Sequence, residues 1–394
     1  MYSQTMYGYG AKSSVIREIF SYSQARQKIV GKENVYDYSL GNPSVPAPKE
    51  VQTAFRELLN EKTPLELHGY TAGPGDIDVR NTIAEDLNER FGTDVTGEHI
   101  YMTCGAAAAL KIAMTALYEE GDEIIVPMPF FPEYEVFAKS AGYKFIPVKG
   151  EYGTMMPDVD EIEAVITEKT KILLLNSPNN PSGAVFTREV LQKIAAVLAK
   201  KNAEYRHPVY ILSDEPYREL VYDQEAPFIP RIYKDTIVCY SFSKSFSVPG
   251  ERIGYICVQP EAEQAKEVYL AVCGAGRALG YVCAPSFLQQ VVARSIKAKP
   301  DIAAYRANRD LLYGSLKDLG YECIHPDGAF YLMVKAPDGD TERFYERLKK
   351  YDVLVVPAEG FGAPGYVRLA YCVDYDMIER SLKYFKTVLE EYTV

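Results

Sequence analysis

The chain has 394 residues, 47% of them hydrophobic, which is enough to fill the cores of roughly two or three domains. Its 54 acidic and 43 basic residues give a net charge of −11 at pH 7, and this balance disfavours binding to nucleic acid or to an anionic membrane. No apolar run reaches the roughly 18 residues that a membrane-spanning helix needs, and residues 1–13 contain no apolar segment of signal-peptide length. We therefore expect a cytoplasmic protein that acts on small molecules.

Cysteines and histidines indicate neither disulfides nor a metal site. The seven cysteines form no C-x-x-C pair and lie mostly in apolar surroundings, as is typical of reduced core residues. The four histidines are scattered without metal-ligand spacing, so we expect no metal.

Short β-branched runs alternate with helical stretches between residues 99 and 258. The stretch 189–201, for example, carries apolar residues at helical spacing. This alternation predicts an α/β fold with a mostly parallel sheet flanked by helices. Ligands of such folds gather at the carboxyl ends of the strands. The predicted strands are 100–103, 123–127, 171–176, 209–213, 236–241 and 253–258.

The pattern changes after a helical stretch at 285–297, where Pro300 interrupts the chain. This change predicts a second, smaller α+β unit. Its predicted elements are strands at 331–335, 353–356 and 366–370, a helix near 342–351 and a last helix from 376.

Lys244 is the first candidate for a reactive residue. It ends a Ser-Phe-Ser-Lys sequence after the apolar run 236–239, and Arg252 lies eight residues further on. A lysine amine buried beside another cation loses its proton more easily, and a neutral amine can form a Schiff base with a carbonyl. The fork-shaped guanidinium of Arg252 suits a phosphate. Pyridoxal 5'-phosphate carries both a carbonyl and a phosphate, although the spacing alone also fits an ordinary surface lysine.

Two other predicted strand ends carry residues suited to the same cofactor. Residues 104–107, Cys-Gly-Ala-Ala, open an alanine-rich helix whose small side chains would let backbone N–H groups approach a phosphate. The segment 129–134 holds Phe131, whose ring could lie flat against a pyridine ring. Each also has an ordinary explanation, because alanine favours helices and phenylalanine usually packs in a core.

The remaining strand ends add polar groups. Asn180 precedes a proline in the segment 177–183, which holds its backbone extended, although a plain turn is the alternative. Asp214 ends a buried strand, where an unpaired carboxylate costs about several kcal/mol, so a protonated pyridine nitrogen would be a suitable partner. Tyr217, three residues later, could donate to the phenolic oxygen of the ring. Alternatively, Asp214 caps a following helix.

A set of short motifs occurs in a definite order along nearly the whole chain. They are Leu40-Gly41-Asn42-Pro43, Gly69-Tyr70, Asn180-Pro181-x-Gly183, Asp214-x-x-Tyr217, Ser241-x-Ser243-Lys244, Arg252-Ile253-Gly254 and Tyr366-x-Arg368. In this order and at this spacing they resemble the class I and II aminotransferases of pyridoxal-phosphate fold type I, the aspartate aminotransferase-like fold.

The resemblance implies that Lys244 binds pyridoxal phosphate covalently and that Asp214 holds the pyridinium nitrogen. Asn180 and Tyr217 would bind the phenolic oxygen, and Phe131 would stack on the ring. In this interpretation Lys244, Asp214 and Tyr217 are the catalytic residues.

The resemblance also implies how the phosphate is bound. The groups that would hold it are the side chains of Ser241 and Arg252 and the backbone amides of Gly105, Ala106 and Ala107. Tyr70 would reach the phosphate from a neighbouring subunit, so we expect a homodimer. Many relatives have hydroxyl side chains where this chain has Cys-Gly-Ala-Ala, so binding here would rest more on backbone amides, and Cys104 has no assigned role.

Substrate contacts follow from the same resemblance. Arg368 would bind the α-carboxylate of the substrate, Asn180 would also contact the substrate, and the loop around Gly41 would close over it. Arg277 falls near the position where aspartate aminotransferases of the best-known subgroup carry, from the partner subunit, an arginine for the second carboxylate. The alternative is that Arg277 is a surface residue in a glycine-rich loop.

We expect an aminotransferase that moves an amino group between an L-amino acid, with aspartate as the candidate, and a 2-oxo acid by a ping-pong mechanism. The large cofactor-binding domain would span 48–295, and 1–47 with 296–394 would form the small domain and an N-terminal arm. One alternative is a cystathionine β-lyase-like C–S lyase of the same fold. Another is the effector-binding module of a transcription regulator, which would need a basic DNA-binding domain. The glycine-rich run 274–280 loosely resembles a dinucleotide site, but a helix-like segment precedes it rather than a strand.

Overall fold

The strands confirm the predicted fold class of a mostly parallel sheet flanked by helices. The computed structural model describes residues 1–11, 14–151 and 153–392. Its strands are β1 (Tyr36–Asp37), β2 (Ile100–Thr103), β3 (Glu123–Pro127), β4 (Lys144–Val148), β5 (Thr170–Asn176), β6 (Tyr210–Asp214), β7 (Thr236–Ser241), β8 (Gly254–Val258), β9 (Tyr331–Lys335), β10 (Val353–Leu354), β11 (Val356–Pro357) and β12 (Tyr366–Ala370).

Helices cover the sheets and connect the strands. They are α1 (Gln4–Ala11), α2 (Val15–Val30), α3 (Lys49–Glu61), α4 (Pro64–His68), α5 (Ile77–Phe91), α6 (Ala106–Leu117), α7 (Glu133–Ala141), α8 (Val159–Val165), α9 (Arg188–Tyr205), α10 (Phe242–Ser245), α11 (Ala265–Ala278), α12 (Ser286–Ser295), α13 (Ile302–Leu319), α14 (Thr341–Lys349) and α15 (Tyr375–Glu390). Short 3-10 turns lie at Lys32–Asn34, Gly97–His99, Ile229–Arg231, Pro249–Glu251 and Glu359–Phe361. None of the helices in the described ranges is long and apolar enough to cross a bilayer.

The main sheet has seven strands in the order β2-β8-β7-β6-β5-β3-β4. The neighbours from β7 to β4 are parallel, whereas β8 runs antiparallel to both β7 and β2. The carboxyl ends of β5, β6 and β7 therefore meet at one edge of the sheet, and they carry Asn176, Asp214 and Ser241. The residues that the sequence placed at strand ends are brought together by this topology.

Burial on both faces explains why the central strands are almost entirely apolar. Leu174 of β5 packs in a cluster with α6 and α11, and its neighbour Leu173 packs on the opposite face in a cluster with α8 and α9. Successive side chains of a strand point to opposite faces, so both faces need apolar residues when helices cover both.

One strand of this sheet was missed by the sequence prediction. β4 lies at the edge and pairs only with β3. It contains Pro147, and Lys144 and Pro147 are exposed. Proline is tolerated at a sheet edge because no ladder hydrogen bond is needed there, but it also hides the strand pattern in the sequence.

A second core joins the two ends of the chain. β9, β11 and β12 form a three-stranded antiparallel sheet, and β1 pairs in parallel with β10. The associated cluster contains Tyr36 and Tyr38 from the first part of the chain together with residues of α13, α14 and α15. The predicted strand 353–356 is in fact two short strands. The domain boundaries at 48 and 295 stay a prediction.

Candidate functional site

A cavity of about 550 Å³ lies at the carboxyl ends of β5, β6 and β7 and extends to β9 and β12 of the second sheet. Most of the residues that the sequence indicated line this one cavity. They are Gly41, Ala106, Ala107, Phe131, Asn180, Asp214, Tyr217, Ser241, Lys244, Arg252 and Arg368.

Lys244 lies in the single turn of α10, directly after β7. Its Nζ donates a hydrogen bond to the carbonyl oxygen of Gly41 at 2.6 Å. Burial lowers the pKa of Lys244 to about 8; the nearby cations Arg252 and Arg368 add to this shift and the thiol of Cys372 opposes it. Desolvation, more than the neighbouring cation that the sequence suggested, is therefore the main reason that this amine is partly neutral near pH 8.

Asp214 presents a carboxylate that is only half satisfied. Its Oδ2 accepts a hydrogen bond from the Tyr134 hydroxyl at 2.5 Å, while its buried Oδ1 has no partner among the described residues. Burial raises the pKa of Asp214 to about 7, the hydrogen bond from Tyr134 opposes the rise, and Glu215 adds to it. The segment directly after Asp214 is a turn at residues 216–219 and not a helix, so the helix-cap alternative is wrong. A buried carboxylate oxygen of this kind is stabilised by a cationic or hydrogen-bonding partner.

Asn176 ties two predicted site residues to the end of β5. Its Nδ2 donates to the backbone oxygen of Asp214 at 2.9 Å, and its Oδ1 accepts from the backbone N–H of Asn180 at 2.8 Å. All three residues are buried. Asn176 thereby sets the position of both residues relative to the sheet.

Arg368 is a buried guanidinium without an anionic partner in the described part of the chain. It donates to Asn180 Oδ1 at 3.0 Å and to the carbonyl oxygen of Ser39 at 2.6 Å, and its Nε is unpaired. Only 2% of Arg368 is exposed, and burial lowers the pKa of its guanidinium. A carboxylate in the cavity would satisfy both the charge and the unpaired donor.

Tyr217 and Tyr331 form a pair of hydroxyls beside Arg368. Their oxygens lie 2.8 Å apart, and the guanidinium of Arg368 lies 4.6 Å from the centre of the Tyr331 ring. Burial raises the pKa of Tyr217, and the adjacent Tyr331 adds to the rise; burial also raises the pKa of Tyr331, to about 12. Both hydroxyls are therefore protonated at neutral pH, and one can donate into the cavity while it accepts from the other.

The opposite end of the cavity combines a helix start with a cation. Gly105, at a φ of 81°, precedes α6 and has no side chain that could cap its first turn. A Cβ atom on Gly105 would lie 2.8 Å from a guanidinium nitrogen of Arg252. Ser241 is buried nearby, and its Oγ donates to Ser243 Oγ at 2.8 Å. Free N–H groups, a hydroxyl and an exposed guanidinium together suit an anion such as a phosphate.

Phe131 and Cys104 also border this region. Phe131 is partly buried and meets the Tyr134 ring edge to face, with centroids 5.6 Å apart and planes at 86°. Stacking of one face of the Phe131 ring on the cofactor ring stays a prediction. Burial raises the pKa of the Cys104 thiol and Arg252 opposes the rise, so the thiol is protonated at neutral pH.

Three predicted site residues do not line the cavity of their own chain: Gly105, which directly precedes α6, Tyr70 and Arg277. Tyr70 is 99% exposed and follows α4, and Arg277 is exposed in the last turn of α11. The interpretation of 274–280 as a glycine-rich loop is wrong, because residues up to 278 are helical. Gly276 is needed for close packing, since a Cβ there would overlap the Tyr101 hydroxyl. A contribution of Tyr70 or Arg277 to a partner's site stays a prediction.

Several cavity residues were not assigned a role from the sequence. Tyr134 was noticed only as part of an aromatic segment, and Tyr331 only as the start of a strand. Arg17 and Glu133 also line the cavity. Local patterns carry no signal for them, because Tyr134 meets Asp214 across 80 residues and Tyr217 meets Tyr331 across 114 residues.

Pyridoxal phosphate fits the groups that the cavity leaves unpaired. Its pyridinium nitrogen would satisfy Asp214 Oδ1, and its phosphate suits the start of α6 and Arg252. A substrate carboxylate would neutralise Arg368, and the partly neutral Lys244 is suited to bind a carbonyl carbon. The expectation of no metal stays a prediction, and the described residues hold no group of three or more metal-ligating side chains.

Comparisons with known proteins identify the family of this chain. Residues 32–385 match the family Aminotransferase class I and II. An aminotransferase structure from Eubacterium rectale is 48% identical, covers 100% of both chains and superimposes with a TM-score of 0.97. Aspartate aminotransferase from Thermus thermophilus, solved with maleate, is 29% identical, covers 98% of this chain and 99% of its own, and has a TM-score of 0.85. Aromatic-amino-acid aminotransferase 2 of Thermococcus litoralis is 28% identical over 396 residues, which is 96% of each chain. The chain therefore belongs to the class I and II aminotransferases of fold type I, and it is a pyridoxal-phosphate-dependent aminotransferase of amino acids.

Proposed function

We propose that this chain transfers the amino group of aspartate, among other amino acids, to a 2-oxo acid by a ping-pong mechanism, with Lys244 as the group that moves the proton. One observation carries the proposal: a partly neutral amine, a buried carboxylate with a free oxygen and a buried guanidinium without an anion share one cavity. They belong to Lys244, Asp214 and Arg368. The names of the Thermus and other relatives support aspartate as a substrate.

The cavity residues would hold and orient the cofactor. When bound, pyridoxal phosphate supplies a carbonyl for amine exchange and a ring that withdraws electrons from the substrate Cα. Asp214 would keep the ring nitrogen protonated through a charge-assisted hydrogen bond, and the hydrogen bond from Tyr134 holds that carboxylate in place. Asn180 and Tyr217 would bind the phenolic oxygen. The phosphate would be held by Arg252, Ser241 and the amides of Gly105, Ala106 and Ala107.

Lys244 is suited to proton transfer because of its pKa. With a pKa of about 8, about half of its amines are neutral at pH 8, whereas an exposed lysine is almost fully charged there. Neutral Nζ can accept the proton from the substrate Cα, and the resulting ammonium can return it to another carbon within reach. The hydrogen bond to Gly41 keeps the side chain directed into the cavity.

Arg368 would orient the substrate for this transfer. Its position is set by Asn180, by the carbonyl oxygen of Ser39 and by the Tyr331 ring, so little side-chain entropy is lost when a carboxylate binds. Gly41 is close to both Lys244 and Tyr331: its carbonyl oxygen accepts the hydrogen bond from Lys244 Nζ, and a Cβ at Gly41 would overlap the Tyr331 hydroxyl. The loop at Gly41 would thus close the substrate between the two sheets and limit access of water.

The same fold leaves a C–S lyase and a regulator module as alternative predictions, but no feature of the cavity favours either, and the named relatives are aminotransferases. The homodimer, the donation of Tyr70 to the partner's phosphate site and the cytoplasmic location remain predictions of the sequence.

A substrate panel tests the proposal. The purified holoenzyme is mixed with single amino acids, and the change in cofactor absorbance is followed before any 2-oxo acid is added. Aspartate should convert the cofactor to its amino form, and 2-oxoglutarate should restore it. Release of ammonia together with pyruvate or sulfide, without that conversion, would favour the lyase.

The role of Lys244 has its own test. Borohydride reduction followed by peptide mapping should label Lys244, and Lys244→Ala should abolish transamination while the cofactor can still bind noncovalently. Labelling of another lysine would show that the assignment is wrong.

A further inference from the structure

Two charged residues of the cavity have no task in the proposed reaction. The charged side chains that line it are Arg17, Glu133, Asp214, Lys244, Arg252 and Arg368. The last four serve the cofactor, the proton and the α-carboxylate. Arg17 of α2 and Glu133 of α7 remain.

Arg17 occupies a helix position that disfavours arginine. Ser14 caps α2 and its side chain accepts a hydrogen bond from the backbone N–H of Arg17, which places Arg17 in the first turn. A glutamate at this position would complete a capping box, as Glu66 does with Thr63 at the start of α4. A cation in the first turn instead opposes the helix dipole, at a cost of roughly 0.3–1 kcal/mol. Local helix stability therefore does not explain Arg17.

Arg17 is not compensated by another protein group. Its guanidinium has no ion pair and no hydrogen-bond partner within residues 1–11, 14–151 and 153–392. Glu133 lines the same cavity and likewise makes no ion pair with a described residue. Arg17 is exposed to solvent at the cavity and is therefore available to a ligand.

The helix that carries Arg17 is anchored at several points. Ile19 is buried and Ile16 packs against the second core. Arg26, two turns further along α2, donates to Asp352 at 2.6 Å. Arg17 is thus presented to the cavity from a supported helix, which suits a specificity contact better than a loop does.

We propose that Arg17 binds the second carboxylate of a dicarboxylic substrate, while Arg368 binds the α-carboxylate. The inference rests on the proposed function and identifies its substrate class as aspartate, glutamate and the corresponding 2-oxo acids. A planar guanidinium binds a carboxylate through two parallel hydrogen bonds. Arg277 lies outside the cavity of its own chain, and its contribution to a partner's site stays a separate prediction that the variants below distinguish from the role of Arg17.

Binding of maleate to the holoenzyme tests this inference without turnover. Maleate has two carboxylates and no amino group, and 3-phenylpropionate serves as a control with one carboxylate. Isothermal titration of both compounds would compare the wild type with Arg17→Gln, Arg17→Lys, Glu133→Gln and Arg277→Gln.

Arg17→Gln should weaken maleate binding by about 10- to 100-fold, because charge-assisted hydrogen bonds are lost, and should change binding of 3-phenylpropionate less than about threefold. Arg17→Lys should recover part of the loss, since it keeps the charge but not the paired geometry. Glu133→Gln should not weaken the binding of maleate, because it removes a negative charge that repels the carboxylates. In steady state, Arg17→Gln should lower kcat/KM for aspartate far more than for phenylalanine.

Three outcomes would overturn the inference. One is an equal loss of maleate and 3-phenylpropionate in Arg17→Gln. Another is a selective loss of maleate affinity in Arg277→Gln but not in Arg17→Gln. The third is a loss of maleate affinity in Glu133→Gln as large as that in Arg17→Gln. If the wild type transaminates phenylalanine or alanine and any of these results is found, the proposed aminotransferase function stands and only the role of Arg17 fails.

Discussion

Removal of the Tyr134 hydroxyl tests how the cavity keeps Asp214 charged. Tyr134 supplies the hydrogen bond to Asp214 Oδ2, and it opposes the rise of the Asp214 pKa to about 7. A hydrogen bond to a charged group contributes about 1.5–3 kcal/mol, and one pKa unit corresponds to about 1.4 kcal/mol. Tyr134→Phe should therefore raise the pKa of Asp214 in the cofactor-free protein by about one to two units.

The consequence is weaker cofactor binding with a shifted pH dependence. Only the ionised form of Asp214 can pair with a pyridinium, so affinity falls as the pH drops through the pKa of Asp214. In Tyr134→Phe this fall should begin about one to two pH units higher than in the wild type. At pH 7, where about half of Asp214 is ionised in the wild type, the dissociation constant should rise about 5- to 50-fold. Cofactor-free protein titrated with pyridoxal phosphate at several pH values, followed by absorbance, measures both effects.

Tyr143→Phe is the matched control. Tyr143 is buried in the same hydrophobic cluster, and its hydroxyl donates to the Met114 carbonyl oxygen at 2.9 Å. Both variants lose one buried hydroxyl, so similar losses of stability are expected, but only Tyr134→Phe should change cofactor affinity. Equal affinities of the two variants at every pH would refute the role of Tyr134.

Three further predictions concern the amine, the closing loop and the assembly. Burial lowers the pKa of Lys244 from 10.5 to about 8, so its contribution to stability is present above the unfolded pKa and is lost as the pH falls through the folded one. Lys244→Met should therefore raise the free energy of unfolding of the cofactor-free protein at pH 7 by roughly 1–3 kcal/mol. Urea titrations should show that this gain shrinks between pH 8 and 10.5. A variant that is less stable than the wild type at pH 7 would contradict this prediction. Gly41→Ala should lower the free energy of unfolding by about 1–3 kcal/mol and should lower kcat/KM, because the new Cβ overlaps Tyr331. Gly274→Ala is the control and should do neither, because its Cβ meets nothing within 4 Å. We expect a dimer with Tyr70 at the subunit contact. Light scattering at assay concentration should show the mass of a dimer, and a fully active monomer would exclude the dimer.

The sequence by itself determined the family and the fold class, and it predicted most of the residues that line the cavity. Asp214 and Lys244 could be found from local patterns, because they end or closely follow buried strands whose apolar runs are visible in the chain. Arg368 came from the resemblance of the ordered motifs to the family, since it lies within β12. Parallel neighbours then bring Asp214 and Lys244 to one edge without any further information. The ordered motifs distinguished this arrangement from the glycine-rich run at 274–280, whose residues up to 278 are helical.

Only the tertiary structure decided which side chains form hydrogen bonds with the site residues, which pKa values are shifted, and which further residues line the cavity. The hydrogen bond of Tyr134 to Asp214 and the pairing of Tyr217 with Tyr331 join distant segments, and no spacing rule predicts them. The pKa of Lys244 depends mainly on burial, which is a property of the folded chain and not of the residues next to Lys244 in the sequence. Arg17 looks like an ordinary surface residue in sequence, and its place at the cavity follows from the packing of α2 against a core built from the far end of the chain.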